Sequence, residues 1–189
     1  VEQTVWAYEL ARDLGFDNIN MDIIVGLPGE GIREVMHTLD VIRELEPESL
    51  TVHALAVKRA SRLSTEGKAW GGIDRKGMTP DSSEAEEIRR MTELGAECAE
   101  SMHMHPYYLY RQKNMAGNQD NVGYAREGTE CLYNILMMEE KHSVYGIGAG
   151  ASTKLVLPEK LDKNTKMIQN RIKRYDNIKN LNDYLIYSF

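Results

Sequence analysis

An aspartate stands inside an apolar run: residues 20–29 read NMDIIVGLPG. The run has the form of a short buried strand ended by Gly and Pro. Strand alternation sets Asn20, Asp22, Ile24 and Gly26 on one face and Met21, Ile23, Val25 and Leu27 on the other. The second face is wholly apolar and suits packing against helices. A carboxylate on the first must meet donors or a cation, because an unpaired buried charge is prohibitive. The hydroxyls of a bound ligand would satisfy it, and so would an arginine from a neighbouring strand. On strand chemistry alone the two readings stand level.

Four other groups carry chemical side chains. In LTVHALAV, Thr51, His53, Leu55 and Val57 share a face, with Val52, Ala54 and Ala56 opposite. A histidine so placed is more often a hydrogen-bonded core residue than a catalyst, while Ala54 and Ala56 would let a flat ligand approach the backbone. YGIGAGAST spaces Gly146, Gly148 and Gly150 like a phosphate cradle, but these glycines run into strand-like STKLVL and not into a helix N-terminus. Close backbone approach to another element suits these glycines better. His103 and His105 would share a face on a strand and hold a metal, yet a solvated helix end is the simpler reading. HPYYLYRQKN interleaves aromatic and basic residues as a nucleic-acid stacking surface does. Half-buried strand aromatics explain it as well.

The elements that must position these residues can be read from periodicity. Residues 2–14 predict a helix with Trp6, Leu10 and Leu14 at helical spacing, beside Val5 and Tyr8, and Gly15 as its stop. A strand comes next, then a helix over 30–45 with Ile32, Val35, Met36, Leu39 and Ile42 inward, then a second strand in PESLTVHALAV. This alternation is that of a parallel α/β fold. Residues 58–82 are basic, Gly- and Ser-rich and aperiodic, which reads as a linker or mobile loop. From 83 to 189 the pattern is mixed: a helix over 83–102, strands in HPYYLYRQKNMA, in SVYGIGAGASTKLVL and in MIQNRIKRY, and helices near 130–141 and 180–187.

With 189 residues, 42% hydrophobic and 28% charged, the chain has a globular composition. A net charge of −6 argues against nucleic-acid or anionic-membrane binding. No apolar run approaches the roughly 20 residues that span a bilayer. With no signal-peptide pattern either, a cytoplasmic protein is expected. Cys98 and Cys131, the two cysteines, form neither a disulfide framework nor a CxxC site. The start, VEQTVWAYELARDLG, lies within a helical pattern and lacks an initiator Met, so a fragment of a longer protein is expected.

The combined blocks resemble a known family. NINMDIIVGLPGE, a helix and LEPESLTVHALAV look like late barrel strands of radical S-adenosylmethionine (SAM) enzymes of the oxygen-independent coproporphyrinogen III oxidase (dehydrogenase) type. YYLYRQKNMA resembles that family's Tyr-rich strand, and CLYNILMM with VYGIGAGAST its Asn-containing helix and Gly-rich strand. The match runs over residues 1–157 and is nearest the Firmicute-type subgroup.

The resemblance implies that residues 1–57 are the C-terminal part of a partial (β/α) barrel, followed by an α+β region over 83–189. It implies that Asp22 holds the SAM ribose hydroxyls, that Ile24 touches the adenine, and that His53 and Ala56 border it. Ser152 would lie near a second SAM or the substrate; Asn114 and Asn134 match motif positions without a specified role. The implied reaction is oxidative decarboxylation of two propionates of coproporphyrinogen III to vinyls, through a 5′-deoxyadenosyl radical made at a [4Fe–4S] cluster fed by an electron donor. Arg and Lys between Lys58 and Lys76 are candidates to meet substrate carboxylates, against the simpler reading of a solvated linker. The family's CxxxCxxC and its Gly-rich SAM-binding stretch are not in the sequence, so this chain alone is expected to be inactive. Two alternatives stay open: a haem carrier with His53, His103 or His105 as ligands, and a structural domain in which Asp22 pairs with a basic neighbour.

Overall fold

A computed structural model describes residues 1–56, 83–110, 119–157 and 172–187. It parts into two compact units, 1–131 and 132–189. The expected linker 58–82 lies outside the described residues.

The first unit opens with α1 (Glu2–Asp13), β1 (Asn20–Val25), α2 (Ile32–Leu45) and β2 (Ser49–Ala54). Strands β1 and β2 pair in parallel, with Asp22 opposite Thr51 and Ile24 opposite His53. Helix α2 starts where the Glu34 carboxylate reaches back to accept the Gly31 N–H at 2.9 Å. It buries Val35, Leu39 and Ile42, the i, i+4, i+7 stripe of a helix laid on a core. It ends at Glu46, in the left-handed conformation with φ 51°, just before buried Pro47.

Helix α3 (Ser83–Ser101) presents Ala85, Ile88, Met91, Gly95, Cys98 and Ala99 inward. Its outer face carries Arg89 and Arg90, bridged to Glu86, Glu93 and Glu97 at helical spacing. Strands β3 (His105–Tyr110) and β4 (Asn121–Ala125) complete a four-stranded sheet ordered β1-β2-β4-β3, with β4 antiparallel to both neighbours. The α/β alternation therefore gives way to a mixed sheet at β2. Residues 83–131 belong to the first unit because β4 pairs with β2 and α3 packs on it, although their sequence texture groups them with residues 132–189.

Helices α2 and α3 share one core with the sheet: Ile23, Val25, Leu50, Val52 and Ala54 meet Val35, Leu39, Ile42, Ile88, Met91 and Cys98. Helix α1 departs from expectation. Trp6 and Leu14 are 63% and 69% exposed, and Tyr8 is the buried residue of the helix. The Tyr8 hydroxyl donates to Leu45 O at 2.7 Å while Arg12 donates to Tyr8 and to Glu48. Polar contacts, more than the apolar stripe, fasten this helix.

The second unit holds α4 (Leu132–Glu139), the antiparallel pair β5 (Ser152–Val156) and β6 (Ile172–Asp176), and α5 (Leu181–Tyr187). Glycines 146–150, expected within a strand, form the turn before β5, with φ 107° at Gly148 and 71° at Gly150. Their N–H groups are taken: Gly146 donates to Thr153 Oγ1, Gly148 to the Tyr184 hydroxyl and Gly150 to Ile178 O. Asn177 Nδ2 holds the carbonyls of Gly146 and Gly148. A phosphate cradle needs free N–H donors, and these are spent within the unit.

Candidate functional site

Among the described residues of the first unit, α2 and α3 cover one face of the sheet, and the opposite face is open at Asn20, Asp22 and Ile24 and closed at Thr51. The burial of β1 alternates as its sequence does: Ile23 and Val25 are buried, whereas Asn20, Asp22 and Ile24 stand on the open side. Thr51 and His53 of β2 share that side. Asp22 is ringed by polar groups. Asn20 Nδ2 donates to its Oδ1 at 2.6 Å, and His53 Nε2 lies 3.7 Å from its Oδ2. That distance is longer than an ordinary hydrogen bond.

These neighbours hold the Asp22 carboxyl below the usual aspartate range. His53 contributes most, partial burial opposes it, and Asn20 and Thr51 reinforce the effect. The carboxylate nevertheless keeps an outward edge, its side chain being 59% exposed. Ile24 beside it is an exposed apolar side chain. An acceptor-only oxygen next to an apolar patch suits a ligand that carries hydroxyl donors on one part and a flat ring on another.

Ala56 behaves differently from Asp22 and Ile24. Its side chain packs against the core cluster.

No family model matches the chain. Among solved structures, coproporphyrinogen III oxidase (HemN) from Escherichia coli, described as a radical SAM enzyme, aligns with a TM-score of 0.57 at 17% identity. That match covers 96% of this chain and 36% of that one, and it speaks to the fold. The oxygen-independent coproporphyrinogen-III oxidase-like protein HemZ of Bacillus subtilis is 44% identical over 156 residues, 82% of this chain and 29% of that protein. The chain is a relative of the oxygen-independent coproporphyrinogen-III oxidase-like proteins. Heme chaperone HemW of the same organism is 26% identical over 148 residues, 77% of this chain and 33% of that protein. The chain thus spans about a third or less of the curated relatives it matches.

In this chain the expected site residues divide. Asp22, Ile24 and His53 come together on one sheet face, and Ala56 lies just past the end of β2. Ser152 belongs to the second unit, where it begins β5 and its hydroxyl donates to Asp176. Asn134 lies on α4, and Asn114 and the basic residues from Lys58 to Lys76 lie outside the described residues. His103 sits at φ 62° in the turn after α3 and His105 opens β3, so the pair does not share a strand face. Among the described residues no three His, Cys, Asp or Glu side chains gather as a metal site. Cys98 is buried, with its thiol pushed up by desolvation, and Cys131 is exposed. Two cysteines cannot supply a three-cysteine cluster set, so these residues do not fit an iron–sulfur cluster.

Two members of the face were missed in the sequence. Tyr108 lies across Gly123, its direct partner in β4: a Cβ at Gly123 would fall 1.9 Å from the Tyr108 ring. Asn121, 3% exposed, accepts the Ala54 N–H on Oδ1 at 3.1 Å and so secures the end of β2. A glycine inside a strand pattern opposite a Tyr-rich strand was the available signal for the first.

Proposed function

We propose that this chain forms one side of the SAM and tetrapyrrole site of a radical SAM protein that decarboxylates coproporphyrinogen III anaerobically to protoporphyrinogen IX in the cytoplasm. The observation that carries the reading is Asp22: an ionised carboxylate on the open face of a parallel strand, fixed by Asn20, with Ile24 beside it. The relation to HemZ and the fold likeness to HemN support it.

In this reading residues 1–57 are late strands of a partial barrel, 58–82 a linker and 83–189 an α+β region. Asp22 accepts the ribose hydroxyls, Ile24 contacts the adenine, and His53 and the Ala56 backbone border it. Ser152 lies toward a second SAM or the substrate. Bound SAM, with a [4Fe–4S] cluster and an electron donor held elsewhere in the protein, would supply the one-electron chemistry. The cluster's ligands come from residues outside this chain, and this chain alone does not cleave SAM. Its own residues orient the nucleoside and hold Asp22 ionised.

The test is a SAM titration of the intact, reconstituted protein that contains this chain. Asp22→Ala is expected to weaken binding by about 10- to 100-fold, the value of hydrogen bonds to a charged group. Binding equal to the parent's would remove the ribose assignment. The likeness to a heme chaperone favours one second reading, a haem carrier using His53, His103 or His105. A Soret band on adding haemin, without turnover of coproporphyrinogen under anaerobic reduction, would select the carrier.

A further inference from the structure

The two oxygens of Asp22 are not equivalent. Asn20 Nδ2 donates to Oδ1 at 2.6 Å, so that oxygen is engaged from within β1. A carboxylate only accepts, so the Asn20 amide must turn its NH₂ to Asp22 and its oxygen away, where Thr51 Oγ1 donates to it at 3.2 Å. Oδ2 is left on the outward side, with His53 Nε2 at 3.7 Å.

That span is too long for a direct hydrogen bond, and a polar pair so spaced invites a third group set against both atoms. The two atoms are complementary. Oδ2 can only accept, while Nε2, facing a carboxylate, is the donor of the pair. Two neighbouring hydroxyls satisfy them together: one gives its proton to Oδ2, and the other accepts from Nε2–H. The parallel register of β1 and β2 fixes the spacing, with Asp22 opposite Thr51 and Ile24 opposite His53. Both side chains are within reach of a ligand, His53 being 31% exposed and Asp22 more so. Ile24, exposed and in register with His53, offers the apolar surface for a base, which leaves the nitrogen edge of the imidazole for the sugar.

We propose that His53 is a ribose-binding residue: its Nε2–H donates to the hydroxyl next to the one held by Asp22 Oδ2, so that the two side chains clamp a vicinal diol. The proposal deepens the reading of Asp22 as a ribose contact and rests on it. It moves His53 from the border of the adenine to the sugar. A clamp of one acceptor and one donor reads the two hydroxyls separately, so a nucleoside that lacks either one loses one half of the contact.

The experiment uses the intact, reconstituted protein and three non-cleavable probes: S-adenosylhomocysteine, its 2′-deoxy analogue and its 3′-deoxy analogue. His53→Phe keeps an aromatic ring and removes the donor. It is expected to weaken S-adenosylhomocysteine by about three- to tenfold, the value of one hydrogen bond, and to bind one of the two deoxy analogues as the parent does. Asp22→Ala is expected to be indifferent to the loss of the other hydroxyl. His53→Gln, whose side-chain amide restores a donor, is expected to recover most of the binding. Equal weakening of all three probes by His53→Phe, or of none, while Asp22→Ala still loses S-adenosylhomocysteine, overturns the clamp and leaves the ribose reading standing. The clamp is overturned as well if both variants are indifferent to the same hydroxyl. Asp22→Ala binding every probe as the parent does overturns the ribose reading and this proposal with it. If His53→Phe does not accumulate as folded protein, His53→Ala carries the same comparison.

Discussion

Asp22 and His53 meet diagonally across adjacent parallel strands: Asp22 is in register with Thr51, Ile24 with His53, and Nε2 lies 3.7 Å from Oδ2. The imidazole, placed to donate toward the carboxylate, is the largest influence lowering the Asp22 pKa. A carboxyl with a depressed folded pKa stabilises the fold above its unfolded pKa, and that contribution is lost as pH falls through the folded value. His53→Phe is therefore expected to raise the Asp22 midpoint in a carbon-detected NMR titration. A midpoint that stays put would assign the depression to Asn20 and Thr51. With Asp22 largely exposed, the accompanying change in stability is small.

Gly95 lies in the middle of α3, where glycine costs about 1 kcal/mol relative to alanine. A Cβ there would stand 2.7 Å from Val52 Cγ2. Val52 is fully buried and β-branched, so it has little room or rotamer freedom to yield. Overpacking should outweigh the propensity gain, and Gly95→Ala is expected to destabilise by about 1–2 kcal/mol in urea unfolding. Combining it with Val52→Ala should make the glycine substitution neutral or stabilising; additive losses would mean that the helix does not press on β2.

What was legible in the sequence depends on the range of each signal. Asp22 could be read because β1 alternates and one face must be buried: the burial of Ile23 and Val25 is written in the same six residues. Strand β4 could not, since NVGYA carries Asn and Gly and owes its state to pairing with β2 and β3, far along the chain. Trp6 and Leu14 show the limit of a helical stripe, which marks a face without saying what covers it. Gly146, Gly148 and Gly150 became a turn through Asn177, about 30 residues away and invisible to local periodicity. Tyr108 was lost in the same way, because the place of its ring depends on a glycine in another strand.

Asn121 offers a sharper test of the frame around the site. Its Oδ1 satisfies the Ala54 N–H inside the sheet, where β2 ends and Ala56 begins the departing segment. Asn121→Ala leaves that donor unpaired, at about 1–3 kcal/mol. Amide exchange at Ala54 is expected to quicken by roughly five- to 150-fold, since about 1.4 kcal/mol corresponds to a factor of ten. Unchanged exchange would mean that another acceptor replaces the side chain.

The last prediction concerns how α1 is held. Arg12 Nη2 lies 2.7 Å from both Glu48 oxygens and 2.6 Å from the Tyr8 hydroxyl, and Glu48 also accepts the Ile19 N–H at 2.9 Å. The Glu48 side chain is 14% exposed, so burial pushes its pKa up; Arg12 and the Ile19 N–H more than offset this, and the net direction is down. The folded pKa thus lies below the unfolded one, and the stabilisation is present above the unfolded value and lost as pH falls through the folded value. Arg12→Ala removes the main opposing influence and leaves burial opposed chiefly by the Ile19 N–H. The variant is expected to lose about 1–3 kcal/mol at neutral pH. It should also begin its acid unfolding at a higher pH than the parent, because Glu48 then takes up its proton earlier. Urea titrations between about pH 3 and 7 read both effects together. An acid limb that coincides with the parent's would show that Glu48 is held ionised by the Ile19 N–H and not by Arg12. Glu48→Ala should cost more than Arg12→Ala, since it removes the counter-ion of Arg12 and the acceptor of the Ile19 N–H at once.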